Sequence, residues 1–183
     1  SWRDVYTTVP NRRQGDCGIL AVILLVLVRG GMDARAAQWV LSLQDASPEA
    51  TTAMVDFILL YRNLIVKYRT ISGKGDGFFC TDSSDMTSAE IASAATSVAD
   101  ISSLHDWERC ILHPGGYVDG RSVFLLGELL GLPDVQIVKE DGQRLVDANL
   151  SDTASLGADM VLHHGEHFEA LLAKVRQHST FQL

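Results

Sequence analysis

Two short segments of the chain carry residues that could do covalent chemistry. Gln14-Gly15-Asp16-Cys17-Gly18 runs directly into the most hydrophobic stretch, Ile19 to Val28. A thiol at the start of a helix feels the positive end of the helix dipole, which favours the nucleophilic thiolate. Gly15 and Gly18 leave room for a substrate carbonyl, and the amides of such a turn can point at an oxyanion. The candidate oxyanion residues are Gln14, Gly15, Asp16 and Cys17 itself. The second segment, His163-His164-Gly165-Glu166-His167-Phe168-Glu169, sets a His two residues before a carboxylate. On a strand, residues two apart share a face, with Cβ atoms roughly 7 Å apart. Glu169 can then accept from the His167 imidazole and fix its tautomer. A thiol, a base and an orienting acid read together as a cysteine hydrolase with Cys17, His167 and Glu169 as the catalytic set.

The other thiols and imidazoles lack these surroundings. Cys80 falls in a loop and Cys110 in a short helical stretch, and free Cys is most often core filler. His105, His113 and His178 sit in polar or terminal stretches, where solvent-facing rings are expected. His163 and His164 must point to opposite faces of a strand. Three His so close together could hold a metal, but their spacing matches no common metal motif. No metal and no cofactor is expected.

The elements that must position these residues follow from pattern and punctuation. Helix signals fill the first two thirds of the chain. A buried helix runs from about Cys17 to Val28 and stops at Gly30-Gly31. Asp33 caps a second helix through Gln44, with Trp39, Val40 and Leu43 on its apolar face. Ser47-Pro48-Glu49 starts a third, carrying Met54, Phe57, Ile58, Tyr61, Leu64 and Ile65 at spacings of three and four. Shorter helices are expected after Ser88, over His105 to Ile111 and over Arg121 to Leu130. The period then changes to that of strands, at Val135 to Val138, Gln143 to Val146, Met160 to His163 and His167 to Leu172, with a hairpin turn at Asp141-Gly142. This order is that of an α+β fold. Residues 1–16 read as an extended loop, and residues 73–86 as a long loop. Phe78 and Phe79, stranded in that long loop, are expected either to anchor a protein partner or to tuck back into the core.

Composition narrows the function classes. The 183 residues suggest one domain over 1–183, with a helical part at about 30–130 and a sheet at about 134–173. A hydrophobic content of 46% and a charged content of 21% can build a core. A net charge of −8 argues against a nucleic-acid partner. The run from Ile19 to Val28 is about half the roughly 20 residues that a membrane span needs, so no span is expected. Three Cys cannot form a complete disulfide framework, which points to a reducing, cytoplasmic compartment.

Taken with their order, these motifs resemble those of the ovarian-tumour (OTU) cysteine proteases. Gln14-Gly15-Asp16-Cys17 is similar to the family's Asp-Gly-x-Cys motif, with Gln14 where Asp is usual. His167-Phe168-Glu169 is similar to its His-aromatic-acid motif, with Glu169 where Asp or Asn is commoner. Gly116-Tyr117-Val118-Asp119-Gly120, the helix at Val123 to Leu130 and the strand at Val135 to Val138 follow the same order, so the resemblance spans about residues 10–173. It implies a papain-like fold in which the Cys helix packs on a small sheet carrying the His, beside a helical subdomain. It also implies hydrolysis of isopeptide bonds at the C-terminus of ubiquitin or a ubiquitin-like modifier, in a bacterial effector or viral polyprotein acting in the host cytosol. Phe78, Phe79, Tyr117, Glu166 and Phe168 are the expected substrate contacts. Some members draw the acid from upstream of the Cys, where Asp4 is available. A papain-like protease of another family and an inactive binding module on the same fold are the alternatives.

Overall fold

The computed structural model describes residues 1–11, 15–42, 47–79, 86–94, 101–132, 134–145 and 159–174. Gln14, Leu43, Gln44, Cys80, Val146 and His178 lie outside the described residues. The elements follow the order α1 (Trp2–Val5), β1 (Tyr6–Val9), α2 (Cys17–Arg29), α3 (Ala34–Ser42), α4 (Pro48–Ser72), α5 (Ser88–Ala94), α6 (Leu104–Leu112), α7 (Gly120–Leu129), β2 (Val135–Lys139), β3 (Arg144–Leu145), β4 (Asp159–His164) and β5 (His167–Ala173). This is the expected α+β arrangement.

Capping signals place the helices where the sequence puts them. The Ser47 hydroxyl accepts from the Ala50 N–H with Pro48 in the first turn, and the Asp119 carboxylate accepts from the Ser122 N–H. The N-terminal segment is a correction. Residues 2–5 form a helical turn and Tyr6–Val9 pair antiparallel with β5, so the chain contributes a strand where a loop was expected. The alternation that would mark a strand is only four residues long there, and its partner lies more than 160 residues away.

The five strands form a mixed sheet in the order β1-β5-β4-β2-β3. β2 and β4 run parallel and the other neighbours antiparallel. Directly opposed residues of an antiparallel pair share a face. His163 lies opposite Phe168 and Val161 opposite Ala170, so these four share one face. His164 lies opposite His167 and Leu162 opposite Glu169, so these share the other. The first face packs on α2, where Phe168 and Ala170 join the main core with Ile19, Val22 and Ile137. The second is covered by Trp2 and Tyr6 over Val138, Met160, Leu162 and Leu171.

α2 touches the sheet, α3 and α7. That explains an apolar surface on all sides: Cys17 through Leu25 are buried without exception. α3 departs from expectation, because Trp39 is 63% exposed while Ala37 is the residue it buries. α4 buries a stripe of Ile58, Arg62, Ile65 and Arg69, spaced by four, three and four. Two arginines on a core stripe need buried acceptors. Arg62 finds them beside Cys17, as described below, whereas Arg69 reaches out to the exposed Asp76 carboxylate. Among the described residues no helix is long and apolar enough to cross a membrane.

Candidate active site

Cys17 opens α2, with Asp16 as its N-cap residue. Its sulfur lies against the start of β5. Sγ accepts from the Phe168 N–H at 3.4 Å, and the thiol faces the Glu166 carbonyl at 3.9 Å. The fold thus carries the thiol to the backbone from which His167 projects, across 149 to 151 positions of sequence. Asn11 ties the two elements together: its Nδ2 donates to the Phe168 carbonyl at 3.0 Å and reaches the Cys17 carbonyl at 3.4 Å.

The turn before Cys17 is fixed from two sides. Gly15 has φ 77°, in the left-handed region, and its carbonyl accepts from the Val118 N–H at 3.1 Å. A Cβ at this position would stand 2.1 Å from the Gly115 carbonyl oxygen. Gly15→Ala is therefore expected to destabilise by about 1–2 kcal/mol for the backbone conformation alone, with more from displacing the Gly115 backbone. A melting curve checks this, and an unchanged midpoint would show that the turn adapts freely. The second support is Arg62. Its Nε donates to Asp16 Oδ1 at 3.2 Å and its Nη1 to the Ile111 carbonyl at 2.9 Å. Its Nη2 reaches Asp16 Oδ1 and the Gly116 carbonyl. Asp16 makes no side-chain cap bond to α2; its carboxylate goes to this buried guanidinium instead.

The expected electrostatics of the thiol are corrected. Burial pushes the Cys17 thiol above its ordinary pKa, and the nearby Asp16 charge acts the same way; the Phe168 amide opposes them without prevailing. Loss of solvation outweighs the helix end because Cys17 is fully buried. Cys110 is also a free, buried thiol shifted upward by burial.

His167 and Glu169 meet as expected, with Nε2 3.3 Å from Oε1. His164 joins them, its Nε2 3.5 Å from the same carboxylate oxygen. Among the described residues no hydrogen bond joins the Cys17 sulfur to the His167 imidazole. The sheet face that meets α2 carries His163 instead. Its ring stacks on Phe168 at 4.4 Å between centroids, and its Nε2 lies 3.2 Å from the Tyr117 hydroxyl. Burial lowers the His163 pKa, so this ring is neutral near pH 7. Tyr117 stacks on Phe168 in turn, and burial, with the Cys17 charge next, raises its phenol.

The expected substrate contacts separate into two groups. Phe168 is corrected: it is 1% exposed, against Gly18 of α2, and offers no surface to a substrate. Phe79 leans on Trp107 at 5.2 Å beneath the Arg121 guanidinium, which is the core-tucked alternative. Phe78 and Tyr117 are half-buried, and Glu166 is exposed in the β4–β5 turn. Gly165 opens that turn at φ 59°, as a two-residue hairpin with Gly first requires. Asp4 turns to the Ser1 ammonium at 3.0 Å. Three residues at the site were not singled out from sequence: Arg62, Asn11 and the inward-facing His163. Only Arg62 left a signal, as a cation in phase with Ile58 and Ile65.

No protein-family model and no curated protein sequence matches the chain. Solved structures do. The viral OTU domain protease of Taggert virus is 14% identical with a TM-score of 0.49, over 96% of this chain and 84% of that one. A chain of the h/ceOTUB1–ubiquitin aldehyde–UBC13~Ub complex is 13% identical with a TM-score of 0.50, over 93% of this chain and 78% of that one. In fold, then, this chain resembles the OTU domain proteases.

Proposed function

We propose that the chain is a cysteine-dependent isopeptidase that cleaves at the C-terminus of ubiquitin or a ubiquitin-like modifier, as a single domain acting in a reducing cytosolic compartment. The observation that carries this reading is the placement of the Cys17 sulfur on the Glu166–Phe168 backbone, beside the strand that presents the His167–Glu169 pair. The OTU-like fold supports the substrate class.

Cys17 Sγ attacks the isopeptide carbonyl. Glu169 holds Nε2 of His167. Because this pair leaves the sheet face opposite α2, substrate binding has to bring the ring past the start of β5 to the thiol, where Nδ1 takes its proton and delivers it to the departing lysine amine. Water then hydrolyses the thioester. Because burial keeps the resting thiol protonated, activation depends on the base rather than on a preformed thiolate. The thiol is fully enclosed at rest, so substrate binding has to uncover it. The amides of Gly15, Asp16 and Cys17 would donate to the developing oxyanion, with Gln14 completing the turn in sequence.

Incubation with ubiquitin bearing a C-terminal electrophile tests this reading. A single adduct on Cys17, located by mass spectrometry, is the expected result. A folded protein that leaves the probe unreacted, or an adduct on Cys110, would refute it.

A further inference from the structure

We propose that His164, His167 and Glu169 form a binding site for a divalent transition-metal ion, Zn2+ foremost. Three donor atoms, one from each residue, lie within 4.8 Å of one another on the sheet face opposite α2. The Glu169 oxygen is 3.5 Å from His164 Nε2 and 3.3 Å from His167 Nε2. Zinc bonds of about 2.0–2.1 Å to nitrogen and oxygen set neighbouring donors about 3.3 Å apart in a tetrahedron. The two separations to the Glu169 oxygen already suit a shared ion, and the two imidazoles, with all three donors within 4.8 Å of one another, would close on it.

The backbone holds this spacing. His164 and His167 are directly opposed across the two-residue turn, and Glu169 is two positions along the same strand, so all three side chains leave one face. Two imidazoles and one carboxylate are the donor set that zinc accepts while keeping a fourth position for water. The outer partner is present as well. Glu140 Oε1 stands 4.0 Å from His164 Nδ1, beyond hydrogen-bond length but close enough to close in and orient the imidazole with Nε2 toward a metal. The Glu140 backbone is held nearby, since its carbonyl accepts from the Trp2 indole at 3.2 Å and from Arg3 at 3.1 Å. All three ligands are half-buried, so an ion can enter from solvent.

Occupancy would tie up His167 and Glu169 and so block hydrolysis. That consequence rests on the catalytic role proposed for His167; the metal site does not.

Calorimetric titration of ZnCl2 into the metal-free full chain carrying Cys17→Ala tests the site without the nucleophilic thiol as a competing ligand. One ion per chain is expected. His164→Gln and Glu169→Gln should each weaken binding at least tenfold, with far-UV circular dichroism unchanged, while His113→Gln binds as before. No binding, or equal affinity in the His164→Gln and Glu169→Gln variants, would overturn the site. With Cys17 restored, Zn2+ should inhibit hydrolysis of a ubiquitin substrate, and His164→Gln, measured against its own zinc-free rate, should need at least tenfold more Zn2+ for the same inhibition. Calorimetric binding in a chain without hydrolysis would sustain the metal site and dispose of the catalytic reading.

Discussion

Cys17→Ala is expected to lower hydrolysis of a fluorogenic ubiquitin substrate by about 10³-fold or more, because nothing else at the start of α2 can form the thioester. The fold should survive. The side chain is small, and its hydrogen bonds to the Phe168 amide and Glu166 carbonyl are weak ones to sulfur. A cost of about 1 kcal/mol, or roughly 2–4 °C in melting temperature for a chain of this size, is expected. His167→Ala should be as damaging, since the buried, protonated thiol then lacks the base proposed to deprotonate it. Glu169→Ala should be milder, because an unoriented imidazole still accepts a proton part of the time. Parent-like rates in Cys17→Ala would sink the assignment. A crippling His163→Ala beside a silent His167→Ala would move the base to the face that packs on α2. A silent Glu169→Ala with a crippling Asp4→Ala would move the acid upstream.

The second large effect belongs to Arg62. Its guanidinium is fully buried and satisfies Asp16, the Ile111 carbonyl and the Gly116 carbonyl at once. Removing one partner of a buried ion pair strands the other charge and costs about 3–5 kcal/mol. Arg62→Met should therefore lower the melting temperature by roughly 10 °C or more. The loss has a specific cause, and a double-mutant cycle can show it. Adding Asp16→Asn removes the stranded charge and should recover more than half of the loss. The turn that sets Cys17 should loosen too, so activity at permissive temperature should fall in Arg62→Met. A stability within about 1 kcal/mol of the parent would mean that the three acceptors find other donors.

Much of this site was legible in the residues. A thiol at a helix start, a helix apolar on every side, and a His two residues before an acid on a strand are local patterns. Each depends on spacing within a few positions, and α2, α4, α7, β2, β4 and β5 all form where that spacing puts them. Even the His167–Glu169 contact follows from the period of two. What spacing cannot decide is which face of an element meets which neighbour. Trp39 looked inward on a helical wheel, yet α3 buries only Ala37. Spacing sets Arg62 in phase with Ile58 and Ile65 but gives no role for it, and it is the clamp on the Cys17 turn because the Asp16 carboxylate and the Gly116 carbonyl converge there. β1 looked like loop, because four residues acquire a strand's identity only from the β5 edge they pair with. The same holds for the histidines. Alternation separates His163 from His164 and His167 from Phe168, but only the docking of α2 on Phe168 decides that His163 lies on the thiol's side and that His164, His167 and Glu169 gather on the other. Local spacing is written in a few adjacent residues, whereas facing is set by contacts between segments some 150 positions apart, whose geometry exists only once the sheet has formed.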